Sequence, residues 1–337
     1  MRVRFVCVLA LGLAAGCSSS GGNGSNPPGP AAAPPPPPPP PTNASLTNPT
    51  VSEIFDTTSG VITGSLSRFT GIPSGVSSVQ TGLGSAVRVD FDINDGSYTI
   101  RINQGGVSET STFRPSDRSP ADSTAMIDVF EITQDGLDVT LALHKPGNPE
   151  TNLNFVSYGA WQRIDSGSSV DFETSFFVFG VRTPGTDMPT TGSATFSGLI
   201  DGFWTDSLGL NAIGGTAELT ADFSARSVTS TFDIIGQNVV SGAIRPFDIL
   251  TGTASFGSGA NSFSGSLSGQ TTGFSGRWSG GFFGPDADEI GGSFRVTDGA
   301  EQAVGIFIGG RGSGAGGVII TNSPTQPPGG LTLGGGP

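Results

Sequence analysis

Histidine, lysine and cysteine are almost missing from this chain, whose 337 residues hold one histidine, His144, one lysine, Lys145, and two cysteines, Cys7 and Cys17. Ordinary zinc sites gather three or four His, Cys or carboxylate ligands, and one His with one Cys outside the leader argues against them. Ser/His/Asp catalysis would rest on His144 alone, and next to Lys145-Pro146 that residue reads as part of a loop. Basic side chains are few, 15 against 28 acidic, and the net charge of −13 argues against nucleic acid as a partner. Two tyrosines, Tyr98 and Tyr158, and three tryptophans, Trp161, Trp204 and Trp278, are too few for the aromatic girdles of a membrane-spanning barrel. They are equally too few for direct iron chelation through phenolates. The expectation is therefore no enzyme, no metal and no cofactor.

What is present begins with an export signal. Arg2 and Arg4 precede an apolar run from Phe5 to Gly16, which ends at Cys17. A dozen residues fall short of the ~20 that span a bilayer as a helix. Leu13-Ala14-Ala15-Gly16-Cys17 approximates a lipobox, so residues 1–16 read as a lipoprotein signal peptide and Cys17 as the acylated new N-terminus. Several acyl chains on one cysteine anchor firmly, since each buried methylene contributes roughly 0.8 kcal/mol. Ser18 in place of Asp agrees with outer-membrane sorting. Residues 17–49 continue as a linker whose eight prolines, Pro34 to Pro41, favour an extended polyproline II rod. Residues 311–337 read as a Gly/Pro-rich tail.

Between linker and tail, 54 glycines accompany apolar residues that recur with period two. In Ala217-Glu218-Leu219-Thr220-Ala221-Asp222-Phe223 every odd position is apolar, the pattern of a strand with one dry face. From Phe274 to Gly284 one face alternates rings with glycines, which lets a bent sheet take large side chains inward. Strands are expected near 153–163, 171–182, 191–204, 213–223, 227–235, 250–257, 261–269, 273–284, 290–297 and 302–310. Asn94-Asp95-Gly96, Gln134-Asp135-Gly136 and Ser224-Ala225-Arg226-Ser227 read as hairpin turns. Pro285 could open one short helical turn. Such even spacing predicts an all-β meander closed into an antiparallel barrel over 151–310, preceded by a smaller β-rich unit over 50–150. Lys145-Pro146-Gly147-Asn148-Pro149 marks the boundary.

Tyr158-Gly159-Ala160-Trp161, the stretch Phe179 to Pro184, Gly192 to Gly198 and Gly215 to Phe223 resemble the barrel of the transferrin-binding protein B family of surface lipoproteins. The most specific segment runs Gly280-Gly281-Phe282-Phe283-Gly284-Pro285-Asp286-Ala287-Asp288-Glu289-Ile290-Gly291-Gly292-Ser293-Phe294. This resemblance implies an eight-stranded up-and-down barrel with a handle-like β domain ahead of it. It also implies a place on the outer face of the outer membrane, delivery by lipoprotein export and surface-translocation machinery, and capture of an iron-carrier, haem-related or other host or environmental ligand. Two-lobed members carry a handle and a barrel in each lobe, and this chain has room for one pair. A structural or adhesive envelope lipoprotein without a soluble ligand is the alternative.

Other candidate sites read as structure. Asp90-Phe91-Asp92-Ile93-Asn94-Asp95-Gly96 opens like a calcium loop but has Arg101 where an EF-hand needs its twelfth-position Glu, so a hairpin explains it better. Asp286, Asp288 and Glu289 beside Pro285 read as a turn. The tryptophans, flanked by small residues on inferred inward faces, read as core and not as sugar platforms. Contacts are expected at the handle tips and barrel loops.

Overall fold

The computed structural model describes residues 42–67, 70–165 and 169–312. Cys17, the export signal, the proline linker up to Pro41 and nearly all of the predicted tail lie outside them. The described chain is all-β. Eight strands, β1 (Glu53–Leu66), β2 (Pro73–Asp92), β3 (Ser97–Gln104), β4 (Val107–Phe113), β5 (Ile127–Gln134), β6 (Leu137–His144), β7 (Val156–Asp165) and β8 (Val170–Gly180), make a first antiparallel sheet. Its order is β4-β3-β2-β1-β8-β7-β6-β5. The next eight, β9 (Ser193–Asp206), β10 (Gly209–Asp222), β11 (Ser227–Asn238), β12 (Ile244–Phe256), β13 (Ser262–Gly269), β14 (Ser275–Phe283), β15 (Glu289–Thr297) and β16 (Gln302–Arg311), run up and down and close into a barrel where β16 pairs with β9.

The up-and-down barrel is as expected, but the division between the two units is not. The sequence periodicity assigns β7 and β8 to the start of the barrel, whereas they complete the first sheet, where β8 pairs with β1 from Thr58↔Val178 to Leu66↔Val170. The barrel therefore starts at Ser193 and not near 151, and the first unit, with eight strands of its own, is not the smaller of the two. Its edge strands β4 and β5 approach each other, with Ser111 Oγ donating to Gln134 Oε1 at 2.8 Å, so the first sheet is nearly closed.

Hairpins form at the predicted turns. Gly96 (φ +70°) ends the β2–β3 turn, Asp135 and Gly136 (φ +55° and +79°) form the β5–β6 turn, and Arg226 (φ +56°) sits in the β10–β11 turn. Positive φ at both Asp135 and Gly136 matches the twist of paired strands. Pro285–Ala287 is a single 3-10 turn.

Inside the barrel, Phe196, Phe232, Phe263, Phe274, Trp278, Phe282, Phe294 and Phe307 pack into one core. The glycines between rings on β14 are required by space. A Cβ on Gly280 would lie 2.5 Å from both the Phe263 ring and the Gly291 carbonyl oxygen, and one on Gly276 would lie 1.9 Å from the Arg295 oxygen. Outward-facing Leu199, Phe203, Val304, Ile306 and Ile308 of β9 and β16 pack on Ile62, Val156, Tyr158, Phe172, Phe176 and Val178 of the first sheet. Each fully buried Phe or Ile contributes roughly 1.5–3 kcal/mol, so the seam is a core in its own right. The opposite face of the first sheet curls around a third core that includes Val87, Ile100, Phe113, Leu141, Trp161 and Phe177.

Polar groups align this seam. Glu289 of β15 accepts the backbone N–H groups of Asn154, Phe155 and Val156 at 2.6, 2.8 and 2.7 Å. Thr183 Oγ1 donates to the Gly284 oxygen at 2.6 Å, and Arg182 donates to the Asn261 oxygen at 2.8 Å while lying 5.3 Å from the centre of the Phe283 ring. Higher up, Gln80 of β2 donates to Ser279 Oγ at 2.5 Å and Arg295 to Ser78 Oγ at 2.7 Å.

Candidate functional site

One end of the molecule exposes apolar side chains from both units. Ile72 leads into β2 and is 47% exposed, Leu208 in the β9–β10 turn 64%, and Val240 and Ile244 around the β11–β12 turn 38% and 58%. They form a neighbourhood, because a Cβ on Gly71 would meet Val240 Cγ2 at 2.9 Å and one on Gly209 would meet the Gly71 oxygen at 3.6 Å. Asn238 Nδ2 donates to the Leu208 oxygen at 3.3 Å, and Val239 N to the Leu210 oxygen at 2.9 Å.

The turns satisfy their own backbone groups and so leave the apolar side chains outside. Asp206 Oδ1 accepts the Leu208 N–H at 2.8 Å, and Asn238 Oδ1 accepts those of Val240 and Ser241 at 3.1 and 2.9 Å. Such Asx turns fix the loop without using its hydrophobic residue. Below the tip, Arg245 donates to Asp206 Oδ2 at 2.6 Å and to Asn211 Oδ1 at 3.0 Å, with its guanidinium 4.9 Å from the centre of the Trp204 ring. The Trp204 indole N–H donates to Glu301 at 3.0 Å, and the ring meets Phe247 edge-on at 5.0 Å. Burial lifts the Glu301 carboxyl above the usual glutamate range, and the indole N–H opposes that shift. An aromatic and ionic floor thus lies beneath Leu208, Val240 and Ile244, with Ile72 of the first sheet beside them. Chemically it suits a protein surface, since rings and aliphatic groups on a fixed scaffold gain contact area at small entropic cost.

The residues singled out in the sequence take other places. Trp161 and Trp278 are fully buried, and Trp204 lies at the barrel rim. Asp92 caps its turn, accepting the Asn94 N–H at 2.9 Å, which holds its carboxyl below the usual aspartate range. Asp90 pairs with Arg101 at 2.8 Å. Glu289 is the seam carboxylate. Burial raises its pKa, and the three N–H donors counter that shift. Among the described residues no group of three or more His, Cys, Asp and Glu gathers as a metal site would.

His144 departs from its expected place in a loop. It ends β6, is 2% exposed, and stacks on Tyr158 with ring centres 5.5 Å apart. Tyr158, one of the two phenols of the chain, is buried in the seam and hydrogen-bonded to Asp201. Local pattern does not single out Leu208 or Val240, because Leu208 is one apolar residue beside Ser207 in a two-residue turn and Val240 adjoins Val239 in a short connection that reads as a strand end.

Residues 188–311 match the family model for the C-lobe and N-lobe beta barrels of Tf-binding protein B. Residues 193–311 form a transferrin-binding-protein-B-like barrel. The match begins at 188, so the Tyr158–Trp161 and Phe179–Pro184 segments lie outside it, in keeping with the place of β7 and β8 in the first sheet. No curated protein sequence matches this chain. Solved structures similar to it include intact Ap-TbpB with its N and C lobes, at 14% identity over 80% of this chain and 78% of that one, with a TM-score of 0.43. Isotype 1 TbpB of serogroup B Neisseria meningitidis is 19% identical over 69% and 53%, with a TM-score of 0.40. The N-lobe of lactoferrin-binding protein B of Moraxella bovis is 16% identical over 55% and 79%, with a TM-score of 0.35. In the transferrin-binding-protein-B-like barrel the Gly280–Phe294 segment forms the end of β14, the 3-10 turn and most of β15, and supplies Glu289 to the seam.

Proposed function

We propose that this chain is an outer-membrane surface lipoprotein, acylated at Cys17, that acts as a non-enzymatic binding module for a protein ligand of the iron-carrier or haem-carrying class. The observation that carries this reading is the match of residues 188–311 to a barrel model named for transferrin binding, on a barrel that folds as such a barrel should. The signal and linker of the sequence support the anchoring, and the apolar tip of Ile72, Leu208, Val240 and Ile244 supplies a contact surface. A tether of prolines ahead of the described domain would lift that tip from the bilayer.

The test is retention of iron-loaded transferrin, lactoferrin and haemoglobin on the immobilised full chain, repeated with Leu208→Asp/Ile244→Asp. Saturable retention of one probe, lost in the double variant, supports the proposal. The absence of retention for all three overturns the iron-carrier reading. Self-association of the full chain at micromolar concentration would then favour the alternative, a structural or adhesive envelope lipoprotein.

A further inference from the structure

Strand β2 has an edge that no strand covers among the described residues. It pairs with β1 from Glu53↔Phe91 to Leu66↔Pro73, but with β3 only from Val87↔Ile102 to Asp92↔Ser97, so residues 73–86 have one unpaired side. Every residue from Pro73 to Ala86 is half-buried or exposed. Between two bulges, Ser77–Thr81 stands in unbroken register with Ser59–Thr63, which leaves a straight run. Side chains reach two carbonyls here, Gln302 Nε2 the Val76 oxygen at 3.1 Å and Gln104 Nε2 the Val79 oxygen at 3.4 Å. Natural sheets commonly guard such edges with charge or proline, and Ser74 to Val87 contains neither. The side chains of the run divide by face. Gln80 donates to Ser279 Oγ and Ser293 Oγ of the barrel at 2.5 and 3.1 Å, while Val79 lies on the other face and is 38% exposed.

Two arginines without acids stand beside this run. Arg277 of β14 and Arg295 of β15 face each other directly across the ladder, and like charges so placed repel. Arg295 Nε donates to Ser78 Oγ at 2.7 Å, which joins the pair to β2. Arg277 is exposed and, among the described residues, makes no hydrogen bond or ion pair. The surrounding positions on the same outer face of the barrel, Ser266, Ser268, Ser275, Ser279, Ser293 and Thr297, carry hydroxyls, and none is acidic. In a chain with 28 acidic residues against 15 basic, two adjacent guanidiniums without a carboxylate are a local excess of positive charge. Their forked donors match the two oxygens of a carboxylate.

We infer that the Ser77–Thr81 edge receives an extended, acidic segment of a partner protein as an added strand, its backbone pairing with β2 and its alternate carboxylates meeting Arg277 and Arg295. The alternation follows from strand geometry. Side chains of the added segment that lie toward the barrel meet hydroxyls and guanidiniums, and those between them lie on the face of Val79 and are apolar. Charge complementarity chooses this occupant. A second copy would offer Ser77–Thr81 itself, and residues 313–337 of this chain hold neither Asp nor Glu, so neither brings a carboxylate to the arginines. The edge uses none of the tip residues, and its test does not depend on the proposed function.

The probe is a fluorescent peptide, Val-Glu-Val-Glu-Val-Glu-Val, titrated with the full chain by anisotropy at about 0.15 M salt, where distant charges are screened. Saturable binding is expected, with amide hydrogen exchange slowed over residues 76–82. Replacing the Glu residues of the peptide by Gln is expected to weaken binding about tenfold or more, and so is Arg277→Gln/Arg295→Gln in the chain. Methylating alternate backbone nitrogens of the peptide, which blocks strand pairing, is expected to weaken it as much. The two altered peptides test the same contacts on the unaltered chain, whatever the fold of the double variant. No saturable binding, undiminished binding of either altered peptide, or slowed exchange that spares residues 76–82 overturns the inference. Slow exchange of those amides without peptide would assign the edge to this chain's own sequence, to a second copy where it grows with concentration, and overturns the inference as well.

Discussion

The carboxylate of Glu289 accepts the backbone N–H of Val156 at 2.7 Å, joining the first residue of β7 in the first sheet to the barrel. Two further N–H groups, of Asn154 and Phe155, converge on the same side chain. Glu289→Gln keeps the size but gives up one acceptor oxygen and turns an amide donor toward those N–H groups. A loss of about 2–4 kcal/mol in unfolding free energy is expected by urea titration, with the midpoint falling for both units together because the seam couples them. Loss confined to the first sheet would show that the two units unfold independently.

Gly280 tests whether the aromatic-glycine alternation of β14 is a packing requirement. Gly280→Ala places a methyl 2.5 Å from the Phe263 ring and the Gly291 oxygen, and a destabilisation of about 1–3 kcal/mol is expected by thermal or urea unfolding. Gly257→Ala is the control, since the nearest atom to its Cβ is 3.6 Å away, and its stability should change by no more than about 0.5 kcal/mol.

His144 sets a pH dependence with a definite sign. Its folded-state pKa, about 3, lies below the usual histidine value of 6.5, so the unfolded chain takes up a proton first as pH falls. Stability is complete above about 6.5 and declines toward 3, with a slope approaching 1.4 kcal/mol per pH unit. Glu289, raised by burial, acts in the opposite direction near its own titration, and Asp92 and Asp248, held low by hydrogen bonds, add losses only at the acid end. Between pH 6.5 and 5 the histidine contributes a fall in stability toward acid, and His144→Gln should remove that contribution in urea unfolding followed across the range.

At the tip, Leu208→Asp and Ile244→Asp should leave stability within about 0.5 kcal/mol of the parent, because both side chains are already in water. The same pair should weaken retention of the protein ligand about tenfold or more, as loss of central apolar anchors does. Binding is read by surface plasmon resonance and folding by thermal unfolding on the same samples.

Much of the barrel was legible in the sequence because its strands have one face inside and one in water along much of their length. Ala217, Leu219 and Ala221 are buried while Glu218, Thr220 and Asp222 are exposed. The assignment of β7 and β8 was not legible, because each has both faces buried, one on the barrel and one in the first sheet, and so lacks the alternation that marks a surface strand. Their neighbour is decided by pairing of Val178 with Thr58, 120 positions apart by residue number, which no local pattern announces. The burial of His144 was hidden in the same way, since Tyr158 and Thr151 reach it from beyond a Pro-Gly turn that reads as an open loop. At the tip, neither Ser207-Leu208 nor the connection 239–243 stands out as a turn in the sequence, and the meeting of Gly71 with Val240 depends on how the two sheets pack.

Cys17 bears on where the protein resides. Cys17→Ala should remove acylation, and the chain should move from the membrane fraction to the soluble fraction on cell fractionation, with palmitate labelling lost in parallel. A chain that stays in the membrane fraction without Cys17 would owe its anchoring to something other than the lipid.

Protease shaving of intact cells that carry the full chain tests the surface-receptor account most directly, using an antibody to the barrel and a periplasmic protein as the control for leakage. Loss of the barrel signal while the control survives is the predicted result. Protection of the barrel until the cells are lysed would place it inside the envelope and contradict the account.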